Sequence, residues 1–133
     1  MRKLCILFLL PFLFSCSKEE MQKNAVINAM TGGQWKVVSF KKGAADVTTD
    51  FASYKFQFKE NYTVDAINNS TIEKTGTWTA DPNAKTISSS FIDANATLTL
   101  LNGTWQITNS DWTFVEASQT IGGELRTLRL EKI

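Results

Sequence analysis

The sequence predicts an all-β protein, an antiparallel meander of eight or nine short strands. Three observations predict it. Residues 54–59, Tyr-Lys-Phe-Gln-Phe-Lys, alternate aromatic and polar side chains, the period-two pattern of a half-buried strand. Similar runs occur at 35–42, 62–68, 72–79, 85–91, 97–101, 104–108, 112–117 and 124–131, joined mostly by connections of hairpin length. No segment of helical length lies between strands, so the crossovers of a parallel sheet are not expected. Such a meander must close on itself or pair face to face to hide its edges. An up-and-down barrel and a sandwich are the two candidate architectures.

The chain opens differently. Arg2 and Lys3 precede an apolar run from Leu4 to Phe14, broken only by Pro11. Eleven residues are too few for a bilayer-spanning helix, which needs about 20. A basic start and a short apolar core make a secretory signal peptide. Leu13-Phe14-Ser15-Cys16 resembles a bacterial lipobox, with an aliphatic residue three before the cysteine and a small one directly before it. The resemblance implies that residues 1–15 are removed and that Cys16 carries diacylglycerol through a thioether. Each buried CH₂ of such a chain contributes about 0.8 kcal/mol, so several chains on one residue anchor a protein to a membrane without a helix. Of the two cysteines, Cys5 lies in the segment to be removed, which leaves no free thiol and no disulfide in the exported chain.

Residues 16–32 read as a lipidated tether with helical character. Ser17 and Glu20 fit a capping box opening a helix over roughly 18–30, with Gly32 and Gly33 ending it. Ser17-Lys18-Glu19-Glu20 also resembles the surface-export signal of Bacteroidetes lipoproteins. That resemblance implies an outer-membrane protein on the cell surface, with retention on the periplasmic face as the alternative.

Residues 33–133 form the predicted β domain. Glu60-Asn61 turns the chain from the 54–59 strand into the next, where Tyr62, Val64 and Ala66 share a face. Asp81-Pro82-Asn83, Asn102-Gly103 and Gly122-Gly123 punctuate the later strands. Gly-x-Trp occurs three times, at 33–35, 76–78 and 103–105, at unequal spacings that exclude a true repeat. The first copy, where the tether meets the first strand, resembles the Gly-x-Trp of lipocalins. There the tryptophan packs at the closed end of an up-and-down barrel, beneath an arginine from near the last strand. Residues 33–133, with Gly-Gln-Trp-Lys-Val-Val-Ser-Phe at 33–40 and Leu-Arg-Leu-Glu-Lys at 128–132, look like the small lipocalin-like lipoproteins of Bacteroidetes. The resemblance implies a barrel of about eight strands. Arg126 is in phase with Leu128 and Leu130, so it matches the family's arginine and is expected over Trp35, while Arg129 faces solvent. Phe56, Phe58, Trp78, Trp105 and Phe114 are the candidate ligand-facing interior.

Composition narrows the function. Removing 15 of 133 residues leaves 118, one domain, with 12 basic and 13 acidic side chains once Arg2 and Lys3 are gone. No basic patch invites nucleic acid. Histidine is absent, which excludes Ser-His-Asp and Cys-His catalysis and His/Cys zinc sites. Asp46 to Asp50 is the best local acidic cluster, and it lacks the spacing and glycine of a calcium loop. No cofactor, metal or enzymatic activity is expected. Two functions compete: a barrel that holds a small apolar or amphipathic ligand, and a filled barrel that acts as a structural or accessory protein. The interior volume discriminates, since ligand sites run to roughly 300–1,000 Å³.

Overall fold

A computed structural model describes residues 21–133. The signal segment, Cys16 and the Ser17–Glu20 run lie outside the described residues. Helix α1 occupies 21–31. The strands are β1 (Trp35–Lys42), β2 (Ala45–Asp46), β3 (Tyr54–Phe58), β4 (Thr63–Asn68), β5 (Thr71–Asp81), β6 (Thr86–Ser90), β7 (Gly103–Ser110), β8 (Phe114–Ile121) and β9 (Glu124–Lys132). A 3₁₀ turn spans Thr48–Phe51, and helix α2 spans Ala96–Thr99.

From β3 onward each strand pairs antiparallel with the next, and β9 pairs back onto β1 along seven residue pairs from Trp35↔Lys132 to Lys42↔Arg126. β1 and β3–β9 therefore close an eight-stranded up-and-down barrel, and β2 is a two-residue addition to the end of β1. The sandwich alternative is set aside by that closure. β1 meets β3 at the single pair Trp35↔Phe56 and then diverges. Residues 47–51 fill the gap: Val47 N–H donates to the Phe40 carbonyl, and Phe40 N–H donates to Thr48 Oγ1. The fully buried Phe51 ring stacks on Phe40, 5.3 Å between centroids.

The barrel has two unlike ends. At one, α1 packs Val26, Ile27 and the buried Met30 against the core, with Thr31 Oγ1 donating back to the Ile27 carbonyl. Trp35, the β3–β4 turn, the β5–β6 turn, the β7–β8 turn and Lys132 lie at this end. The other end is the mouth, where Lys42, Tyr54, Asn68 and the β8–β9 turn lie. Residues 91–102, including α2, cover the mouth and put Phe91, Leu98 and Leu101 into the core.

α2 corrects the strand expected at 97–101. Asn95 is its N-cap, with Oδ1 accepting from the Leu98 N–H at 2.9 Å. The buried positions are Leu98 and Leu101, three apart, rather than an alternating set. Gly76, in the second Gly-x-Trp, is dictated by close approach. A Cβ there would strike the Ser90 carbonyl and stand 2.8 Å from the Phe91 ring, the first residue of the mouth cover.

Candidate functional site

The three Gly-x-Trp tryptophans do one job three times. Each ring is buried, and each indole N–H donates to a carbonyl of a segment that caps or turns the barrel. Trp35 Nε1 donates to Met30 of α1 at 2.8 Å, Trp78 Nε1 to Lys59 of the β3–β4 turn at 2.9 Å, and Trp105 Nε1 to Leu101 after α2 at 3.0 Å. The tryptophans thus tie the irregular segments to the strands.

The cation over Trp35 is Lys132, with Nζ 5.1 Å from the ring centroid and its stem packed against Gly33. Arg126, expected there, pairs with Lys42 at the mouth, six residues along β9 from Lys132, the residue opposite Trp35. Arg126 alternates in step with the buried Leu128 and Leu130, but it stands at the opposite height in the barrel from Trp35. In an antiparallel seam the first strand's start faces the last strand's end, so the residue opposite Trp35 comes from the end of β9. Arg126 bonds Glu124 instead, Nε to Oε1 at 3.0 Å.

The candidate interior residues separate. Phe56, Phe58 and Trp105 line the internal cavity together with Val64, Ile87, Phe91 and Leu101. That cavity measures about 40 Å³ and its wall is almost wholly apolar. Trp78 is buried but stands outside the lining, edge-on to Phe58 at 5.3 Å. Phe114 leaves the interior altogether. Its neighbour Val115 points inward, so Phe114 lies on the outer wall, where the Arg129 guanidinium covers its ring at 4.2 Å. Arg129 is held there by Glu116 and Glu131.

A polar cluster fastens the mouth cover to the barrel rim. Tyr54 Oη donates to Glu73 Oε2 at 2.6 Å, and Asn95 Nδ2 donates to Tyr54 Oη at 2.8 Å. Asn68 Nδ2 donates to Glu73 Oε1 at 3.0 Å. Burial and the Glu73 hydrogen bond raise the Tyr54 pKa, while the Tyr54 and Asn68 hydrogen bonds lower that of Glu73. Asn95 therefore serves twice, as helix cap and as latch. Nothing in a period-two pattern points to it; the signal was Asn followed by Ala-Thr-Leu, a helix start.

On the outer wall, Asp65 of β4 is buried and paired with Lys59 Nζ at 2.7 Å, and Thr75 Oγ1 donates to it at 2.7 Å. The exterior among the described residues includes an open recess of about 380 Å³ between Val26 of α1 and the β5–β6 turn, and another of about 210 Å³ between Ser39, Glu116 and Arg129. Among the described residues, no group of three carboxylate, cysteine or histidine side chains could hold a metal.

Closure, the Gly-x-Trp at the helix-capped end and the apolar interior define a small lipocalin-like barrel. Solved structures share the fold. A lipocalin-like protein from Bacteroides uniformis superposes with a TM-score of 0.54 at 11% identity, covering 79% of this chain and 99% of its own. A duf4847 family protein from Bacteroides vulgatus gives 0.55 at 16%, covering 80% and 96%. An uncharacterized protein from Bacteroides eggerthii gives 0.51 at 11%, covering 76% and 98%. No family model matches the sequence, and no curated protein does.

Proposed function

We propose that this chain is a lipid-anchored cell-envelope lipoprotein whose filled barrel serves as a structural or accessory module, without enzymatic activity. The observation that carries this reading is the interior volume. About 40 Å³ holds a water or two, well short of the several hundred Å³ of a ligand site. What such a barrel offers a partner is its outside. The anchor is Cys16, supported by its lipobox context, and the address is the outer membrane, on the cell surface by the Ser17–Glu20 run or on the periplasmic face if that run is not read.

A second reading keeps a small apolar ligand. It rests on the mouth cover, whose Phe91 and Leu101 line the cavity and whose latch is polar and at the rim. Lifting residues 91–102 would enlarge the interior. Native mass spectrometry of protein extracted gently from its host separates the two: the polypeptide mass plus its acyl chains supports the filled barrel, and a retained ligand overturns it. Metabolic labelling with an alkyne fatty acid tests the anchor. Label is expected on the wild type and absent from Cys16→Ala, and equal label on both rejects the lipobox reading.

A further inference from the structure

We infer that the α1 end of the barrel is its membrane-facing end, with the Trp112 and Tyr62 rings seated among lipid headgroups. This rests on the Cys16 anchor proposed above. The chain enters the described structure at Met21, at the start of α1, and five peptide links separate that residue from Cys16. Fully extended, they span at most about 18 Å. A lipid on Cys16 therefore holds the α1 end near the bilayer and leaves the mouth on the far side.

The exposed aromatic side chains sort by end. Among the described residues, the exposed aromatic rings are Tyr62 and Trp112. Tyr62 sits on the β3–β4 turn and Trp112 on the β7–β8 turn, both at the α1 end. The mouth exposes aliphatic residues only, Ile72, Ile92, Ile121 and Leu125, whereas the α1 end exposes Met21 and Ile133 beside its two rings. Tryptophan and tyrosine pair an apolar ring with a polar handle and collect at membrane–water interfaces, while aliphatic side chains carry no such preference. Trp112 is 59% exposed at the tip of its turn. The turn is braced by Asp111, whose Oδ1 accepts from Thr113 N–H, Thr113 Oγ1 and Phe114 N–H. Lys132 N–H donates to the Thr113 carbonyl and ties that turn to the end of β9. An exposed indole on a hydrogen-bonded turn, on the side where the anchor enters, fits a lipid surface.

The test uses residues 16–133, since the core from Val26 to Leu130 lies within them. Cys16 is their only cysteine, so it can be coupled to a maleimide phosphatidylethanolamine in phosphatidylcholine vesicles with brominated acyl chains. The difference in emission between the wild type and Trp112→Phe isolates Trp112, because Trp35, Trp78 and Trp105 are common to both. Quenching of that difference by brominated lipid is expected. Leu125→Trp and, separately, Ile72→Trp, each in the Trp112→Phe background, place an indole at the mouth, and neither should be quenched. Equal quenching at both ends, quenching at the mouth alone, or none at Trp112 overturns the inference. The lipid is attached chemically, so this result stands apart from whether cells acylate Cys16, which the alkyne labelling reports.

Discussion

At the scale of single residues, the stability of this barrel concentrates where irregular segments meet strands. Trp35→Ala removes a fully buried ring and its hydrogen bond to Met30, at a cost of about 3–5 kcal/mol. Lys132→Ala loses the cation over that ring and the stem against Gly33, about 0.5–1 kcal/mol. In urea unfolding, Trp35→Ala with Lys132→Ala should cost less than the two singles added, while Trp35→Ala with Arg126→Ala should be additive, because Arg126 sits at the mouth. Coupling to Arg126 and none to Lys132 would refute the seam register. Asp65 makes stability depend on pH. The Lys59 ammonium, then the Thr75 hydroxyl, hold its carboxyl below the usual aspartate range despite burial. The stabilisation is fully present above the ordinary aspartate pKa and is lost as pH falls through the lowered folded value. Asp65→Asn should lower stability by roughly 1–2 kcal/mol at neutral pH and flatten the acid limb of a pH–stability curve measured by denaturant midpoint. An unchanged acid limb would show that Asp65 does not supply it.

At the scale of elements, what the sequence made legible follows from period. Strands with one dry and one wet face announce themselves, and β1, β3, β4 and β9 lie where alternation puts them. Ala-Thr-Leu-Thr-Leu-Leu at 96–101 alternates as well as it repeats at three, and four residues of helix are too few for a period to decide. The cap residue decided it. Phe114 misled for a related reason. At the start of β8 the outer wall is partly covered by Arg129, so an aromatic ring there need not point inward. Volume was not legible at all, since composition counts aromatic rings without saying how they interdigitate. α2 carries its own prediction. Asn95→Ala removes the helix cap and the latch to Tyr54, with an expected loss of about 1–2 kcal/mol in urea unfolding. Leu101→Ala opens the wall of the cavity and should cost about 2–5 kcal/mol. A cavity so enlarged stays apolar and should take up benzene, seen as a rise in melting temperature that the wild type does not show. Equal uptake by the wild type would mean that the interior is larger than about 40 Å³ in solution.

At the scale of the whole molecule, the barrel separates two duties by end. The α1 end carries the exposed aromatic rings and, in the proposed lipoprotein, would receive the tether, while residues 91–102 cover the mouth, whose rim exposes aliphatic residues. A partner on the far side would then meet the β8–β9 turn. Gly122 and Gly123 form that turn with positive φ, and a side chain added at either would meet nothing within 4 Å. An epitope tag inserted between them should leave the barrel intact, since exposed loop tips tolerate insertion. On intact cells of the host, an antibody to that tag should bind the wild type. Replacing Lys18, Glu19 and Glu20 with alanine should abolish binding on intact cells and preserve it after the outer membrane is permeabilised, because in the proposed lipoprotein the lipid anchor remains while the export signal is gone. Undiminished labelling of the alanine protein on intact cells would reject the charged run as the signal. No labelling of the wild type on intact cells, with full labelling after permeabilisation, would place the barrel on the periplasmic face instead.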